Sequence, residues 1–164
     1  MIRVTCNGCF DGLHSGHLFF LGYVRGLADQ IATTVGQKAE LVVGINSDDY
    51  IRRHKRPNPM EAQQRARALL ATGVVNRVEV FDGDDPVEFI RSESPAVHVV
   101  GAEYTETAVE ADVCREIGTR LAFAPRVGAW STTAEKGKYE RDDEGTETKV
   151  KGRVLGDGFP GEGP

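Results

Sequence analysis

A short strand signal at the head of this chain runs into a glycine-rich turn and then into a long helical pattern. Ile2-Arg3-Val4-Thr5-Cys6 precedes Gly8-Cys9-Phe10-Asp11-Gly12-Leu13-His14-Ser15-Gly16-His17. Leu18-Phe19-Phe20-Leu21 follows, with Tyr23, Val24, Leu27 and Ile31 at helical spacing. This junction constrains the fold more than any other feature. It puts the turn at the carboxyl end of a strand and beside a helix N-terminus, where open α/β sheets hold their ligands. Backbone N–H groups at such a terminus attract anions, and Gly12 and Gly16 allow the chain to approach a phosphate closely. His14 and His17 stand inside the turn, separated by Ser15-Gly16.

The rest of the chain alternates in the same way. The first helix is expected from about His17 to about Val35, closed by Gly36-Gln37-Lys38 with Gly36 suited to a C-cap. Glu40-Leu41-Val42-Val43-Gly44-Ile45-Asn46 is apolar nearly throughout, as a strand buried on both faces should be. Ser47-Asp48-Asp49 can cap a short helix, which leads to the basic run Arg52-Arg53-His54-Lys55-Arg56 and a break at Pro57-Asn58-Pro59. Met60 to Thr72 reads as a helix ended by Gly73. Strands follow at Arg77–Phe81, Val97–Val100 and Arg120–Ala124, with helices at Val87–Arg91 after Pro86 and at Glu106–Gly118. Ser131-Thr132-Thr133 starts a last helix.

Five strands separated by helices predict a doubly wound, Rossmann-like parallel sheet in a three-layer α/β/α sandwich. The chain has 164 residues. That length predicts a single domain over residues 1–139, large enough to bury a proper core, with a glycine-rich, charged extension over 140–164 expected to be poorly ordered. A formal net charge of −5 argues against a general nucleic-acid binder. No apolar run approaches the roughly 18 residues of a membrane span, and the opening residues read as strand and loop rather than as a leader. Cys6, Cys9 and Cys114 are odd in number and lack zinc-site spacing. They are expected as reduced thiols of a cytoplasmic protein.

The motif Gly-Cys-Phe-Asp-x-Leu-His-x-Gly-His resembles the HxGH signature of the cytidylyltransferase-like nucleotidyltransferase superfamily. The form Asn7-Gly8-Cys9-Phe10-Asp11 is most similar to the heptose-1-phosphate adenylyltransferase domain, and next to glycerol-3-phosphate cytidylyltransferase. The resemblance covers about residues 2 to 135. It implies attack by the phosphate of a sugar or polyol on the α-phosphate of ATP or CTP, with release of pyrophosphate. Such a reaction needs no protein nucleophile, only in-line positioning and neutralisation of charge. His14 and His17 suit that task, because imidazoles donate hydrogen bonds to phosphate oxygens.

The resemblance also assigns the other candidates. Gly8, Cys9, Phe10, Asp11 and Gly16 are implied to line the nucleotide and its phosphates, with Asp11 capping the turn or helping to order Mg2+. Lys55-Arg56-Pro57-Asn58-Pro59 is similar to the family's Lys…Arg-Pro-x-Asn-Pro segment, which makes Lys55 catalytic and Arg56 a phosphate ligand. Arg65 stands where the families carry a phosphate-contacting arginine. Arg126 and Ser131-Thr132-Thr133 resemble the families' Arg-x-x-x-x-Ser-Thr-Thr segment, implying that Arg126, Ser131 and Thr132 hold acceptor and triphosphate. Gly101-Ala102-Glu103-Tyr104 matches Lys-Gly-Gly-Asp-Tyr with Val100 in the lysine's place, and puts Gly101 and Glu103 near base and ribose. Mg2+ is expected to arrive with the triphosphate, with no metal-ligating cluster of the protein's own. The family further implies a homodimer. Two other readings keep the fold: a mononucleotide acceptor, as in FAD synthetases, or a non-catalytic nucleotide-binding module. A nicotinamide-dependent oxidoreductase fits poorly, because the first turn lacks G-x-G-x-x-G.

Overall fold

The computed structural model describes residues 1–101 and 109–125. Its elements are β1 (Ile2–Gly8), α1 (Ser15–Thr34), β2 (Ala39–Asn46), α2 (Asp48–His54), α3 (Ala62–Ala71), β3 (Arg77–Phe81), α4 (Val87–Glu93), β4 (Val97–Gly101), α5 (Val109–Ile117) and β5 (Arg120–Ala124). The strands form one parallel sheet in the order β3-β2-β1-β4-β5. The doubly wound reading holds. The chain runs outward from β1 through β2 to β3, then returns to the other side of β1 for β4 and β5. The crevice at the carboxyl ends of β1 and β4 is therefore the topological switch point, the place where such sheets bind ligands.

Strand alternation divides the core into two layers. Val4, Cys6, Leu41, Val43, Ile45, Val97 and Val99 face one side, against Leu21, Val24 and Ala28 of α1 and Leu69 of α3. Val42 faces the other side, with Phe89 and Ile90 of α4 and Val113 and Cys114 of α5. β2 is thus covered on both faces, which is why its sequence shows no alternation. Gly44 lies where α4 approaches the sheet. A Cβ built there would stand 2.7 Å from the Phe89 ring, so only a glycine lets the ring lie on the strand.

The amino-terminal edge of the sheet carries an ionic cluster remote from the ligand end. Arg77 makes a forked pair with Glu93 at 2.9 and 2.6 Å, while Arg3 donates to Glu40 at 2.8 Å. Helix starts and stops depart from expectation by a few residues. α1 begins at Ser15 rather than His17, and α3 at Ala62 rather than Met60. The expected helix from Ser131, the boundary at 139/140, the first residues of the Glu106–Gly118 helix and the candidates Glu103, Arg126, Ser131 and Thr132 lie outside the described residues.

Candidate active site at the β1–α1 turn

α1 starts early because His14 caps it. The His14 ring Nδ1 accepts the backbone N–H of Gly16 at 3.1 Å and that of His17 at 3.4 Å. The His14 carbonyl takes the Leu18 N–H at 3.1 Å. Histidine is not among the favoured N-cap residues, but an unprotonated Nδ1 is an acceptor like any other. This fixes the tautomer of a neutral ring: the proton sits on Nε2, which becomes the donor head. The Gly16 and His17 amides at this helix N-terminus are thus taken by His14 itself.

The two imidazoles are stacked, with centroids 3.7 Å apart and planes inclined by 26°. Behind them the Phe10 ring lies 5.1 Å from that of His17, tilted by 54°. Phe10 is 5 % exposed and belongs to the core, so its ring supports the histidine pair from below and is not presented to solvent. Its backbone adopts φ 47°, a left-handed conformation that a bulky side chain rarely takes. Such strain is kept where surrounding structure enforces it, often at functional sites. Here the ring also lies over Gly8, where a Cβ would come within 3.0 Å of it. Gly8 and Phe10 thus shape the turn as a unit.

Asp11 reaches across to the segment after α2. Its carboxylate accepts the Met60 N–H at 2.8 Å and pairs with the Arg56 guanidinium. The turn bearing the histidines is thereby tied to the basic run, 45 residues away in sequence but drawn to the same end of the sheet. The other members of that run are also paired. Arg52 bonds Asp49 at 2.6 Å, and His54 approaches Asp84 at 3.2 Å with Arg53 at 3.9 Å from the same carboxylate. Lys55 is exposed, and its ammonium makes no ion pair among the described residues. It is the member of the run left with an uncommitted charge.

For Arg65 the family resemblance implies a phosphate contact. The structure buries it completely, at 0 % exposure. Its guanidinium donates to the carbonyls of Met60, Cys9 and Asn46, each at 2.8 Å, and to the Asp48 carboxylate at 2.6 Å. A buried charge with this many acceptors is a structural clamp. It joins the ends of β1 and β2 to the starts of α2 and α3. Burial pulls the Asp48 carboxyl upward, yet the hydrogen bonds from Arg65 and the Ala62 amide hold it below its usual range.

The sequence marks Ser47 as a helix cap, but it does not give the other partners that complete this floor. Asn46 accepts the Cys9 thiol at 3.2 Å, and Ser47 caps α2 through the Tyr50 N–H at 3.0 Å while bonding Asp82. The signal for these is the polar Asn-Ser-Asp run at the end of an apolar strand. Of the remaining candidates, Gly101 ends β4 at the switch point, paired with Ala124. Cys6 is fully buried and its thiol is pushed up to about 12, which leaves it inert. Among the described residues no three His, Cys, Asp or Glu side chains gather as a metal site, and no helix is long and apolar enough to cross a membrane.

The chain is 40% identical over 135 residues to the bifunctional protein HldE of Mesorhizobium japonicum, covering 80% of this chain and 25% of that protein. It is 40% identical over 133 residues to HldE of Syntrophotalea carbinolica and 39% identical over 131 residues to HldE of Hyphomonas neptunium, covering 79% and 78% of this chain and 25% of each relative. The chain thus spans about a quarter of the length of these relatives. A crystal structure of a lipopolysaccharide core biosynthesis protein from Thermoplasma volcanium shares the fold, with TM-score 0.61 and 23% identity over 78% of this chain and 99% of that one. The cytidylyltransferase-like family model matches residues 5–140, and this chain belongs to that family of nucleotidyltransferases.

Proposed function

We propose that this chain transfers an adenylyl group from ATP to the phosphate of a phosphorylated sugar of the heptose-1-phosphate type. An acceptor phosphate oxygen attacks the α-phosphorus, the bond from that phosphorus to the bridging β oxygen breaks, and pyrophosphate leaves. The stacked His14–His17 pair at the head of α1 carries this reading. His14 is locked with Nε2–H as its donor, and an N–H donor held in place stabilises the charge that develops on the α-phosphate oxygens. His17, against Phe10, is the second imidazole at the same centre. Lys55 supplies a mobile positive charge for the leaving pyrophosphate. Arg56 serves the same end once phosphate displaces Asp11.

The family resemblance supports three further assignments: Arg126 toward the acceptor, Ser131 and Thr132 toward the triphosphate, and Glu103 with Gly101 toward base and ribose, of which Gly101 alone is among the described residues. Among the described residues the carboxylates do not form a cage, and the Asp11 carboxylate is spent on Arg56 and the Met60 amide. Mg2+ therefore fits as a passenger of the triphosphate, whose oxygens and water would ligate it. When bound, the ion neutralises charge on the β and γ phosphates. The resemblance also supports a homodimer, and free thiols at Cys6, Cys9 and Cys114 fit a cytoplasmic setting.

The test is pyrophosphate release with Mg2+ and ATP or CTP, against sugar phosphates, glycerol 3-phosphate and mononucleotides. Release that needs ATP together with a sugar 1-phosphate is expected. Dependence on CTP and glycerol 3-phosphate would replace the substrate assignment. Silence with tight triphosphate binding would replace catalysis by a binding role.

A further inference from the structure

One buried polar group lies outside everything described so far. His98, the second residue of β4, has 0 % exposure and faces the α4–α5 side of the sheet, level with Thr5 of β1. Both ring nitrogens are engaged. Nδ1 lies 2.7 Å from the Thr5 hydroxyl and Nε2 lies 3.1 Å from the Asn7 side-chain oxygen. A neutral imidazole has one donor and one acceptor. With the Asn7 oxygen as acceptor, Nε2 must carry the proton, and Nδ1 then accepts from the Thr5 O–H. With the Asn7 amide in this orientation, one arrangement of protons satisfies all three side chains.

The consequence falls on Asn7. This residue is half-buried one position before the end of β1, at the switch-point crevice between β1 and β4. Its partner His98 is level with Thr5, two residues back along the strand. The Asn7 oxygen is thus turned back into the sheet. The two heads of a carboxamide point apart, so its NH2 is turned toward the carboxyl edge, where it has two N–H donors to offer. Were the amide flipped, an oxygen would meet the substrate there and repel phosphate or compete with it.

We propose that His98 is a positioning residue that, braced by Thr5, holds the Asn7 amide with its NH2 toward the crevice, where it donates to a nucleotide oxygen. Asn7 is thereby a binding residue, and His98 acts only through it. The inference rests on the nucleotidyltransferase reading for the identity of the ligand, but not for the proton arrangement.

Two measurements test it on the full chain. Nitrogen-15 NMR of the wild-type imidazoles should show His98 as the neutral Nε2–H tautomer, unchanged between pH 5 and 8, on the order expected for a ring sealed from water. An Nδ1–H tautomer, or a ring that titrates in that window, overturns the proposal whatever the enzyme does. ATP and CTP affinities are then titrated for wild type, Asn7→Asp, His98→Leu and His98→Gln. Asn7→Asp sits at the edge and keeps the acceptor for His98, yet offers a carboxylate to the ligand. It should weaken the preferred triphosphate at least about tenfold, the scale of losing a hydrogen bond to a charged group. His98→Leu should weaken it severalfold, and His98→Gln, whose amide nitrogen replaces Nε2–H, should recover most of the loss. Unchanged affinity in Asn7→Asp overturns the proposal, even where the His98 variants fail to fold. Wild-type binding without pyrophosphate release overturns the proposed reaction and leaves the Asn7 result standing.

Discussion

Arg65 donates a hydrogen bond of 2.8 Å to the carbonyl of Cys9, a residue 56 positions earlier in the chain. That bond runs from a completely buried guanidinium to the backbone of the turn that presents both catalytic histidine candidates. With its companions to Asn46, Met60 and Asp48, it makes the turn part of the sheet's rigid edge rather than a loose loop. Arg65→Leu should therefore cost about 3–5 kcal/mol, since it strands a carboxylate and three carbonyls. Arg65→Lys should recover only part, because one ammonium cannot span four acceptors in a planar fork. Urea unfolding of the two variants beside wild type measures this. Equal midpoints for all three would mean that the clamp contributes nothing.

The capping role of His14 separates its two nitrogens experimentally. Asn is a good N-cap, so His14→Asn should stay within about 0.5 kcal/mol of wild type in stability, near the spread among favoured capping residues. It loses the Nε2–H, however, and turnover should fall at least tenfold. His14→Ala loses both functions and about 1 kcal/mol of stability besides. His17→Ala should lower turnover by about a hundredfold or more while the fold survives, the scale of removing one transition-state donor. Pyrophosphate release and thermal unfolding on the three variants distinguish these outcomes, and full activity in His17→Ala would remove it from the reaction.

Gly44 offers a test of the core independent of function. A methyl group at this position meets the Phe89 ring at 2.7 Å, with no flexible chain end to give way. Gly44→Ala should destabilise the protein by about 1–3 kcal/mol, the usual range for overpacking. Combining it with Phe89→Leu should restore part of the loss, as two neighbours sharing one space are not additive.

His98 also makes stability depend on pH. Burial lowers its pKa from 6.5 to about 3. Below 6.5 the unfolded chain takes up a proton that the folded chain refuses, so acid favours unfolding. Stability should fall steadily as the pH drops from 6.5 toward 3 on account of this residue. Glu40 acts in a lower window. Its carboxyl is held below the model-peptide value of 4.5, chiefly by the hydrogen bond from Arg3. Its contribution is present above 4.5 and is lost as the pH falls through its folded pKa. Denaturant midpoints between pH 7 and 5 should show a slope in the wild type that His98→Gln reduces. A slope untouched by that substitution would assign it to other groups.

Much of this molecule is legible in its amino-acid sequence. The strands are readable because residues such as Leu41, Val42 and Val43 are apolar on both faces, a pattern that only a covered parallel sheet needs. The turn is readable because its glycines and two histidines sit between a strand pattern and a helical one. The likeness of that short string to a family motif carries the functional expectation, and short strings survive in sequence because their chemistry is local.

What the tertiary structure decided is which polar groups meet. Arg65 on α3 has the spacing of a surface arginine, and it became a buried clamp because α3 packs where β1 and β2 both end with their carbonyls turned out. Asp11, readable as a cap or a metal ligand, found Arg56 and the Met60 amide across the sheet edge. The ring of His14 turned inward to cap its own helix. His98 gives no signal within its strand, since its partners Thr5 and Asn7 lie more than ninety residues away and meet it only by strand pairing. Periodicity records whether a position is covered, because burial acts on every residue of an element alike. The partner of a single hydrogen bond depends on the register between elements distant in the chain, and that is set only when the sheet assembles.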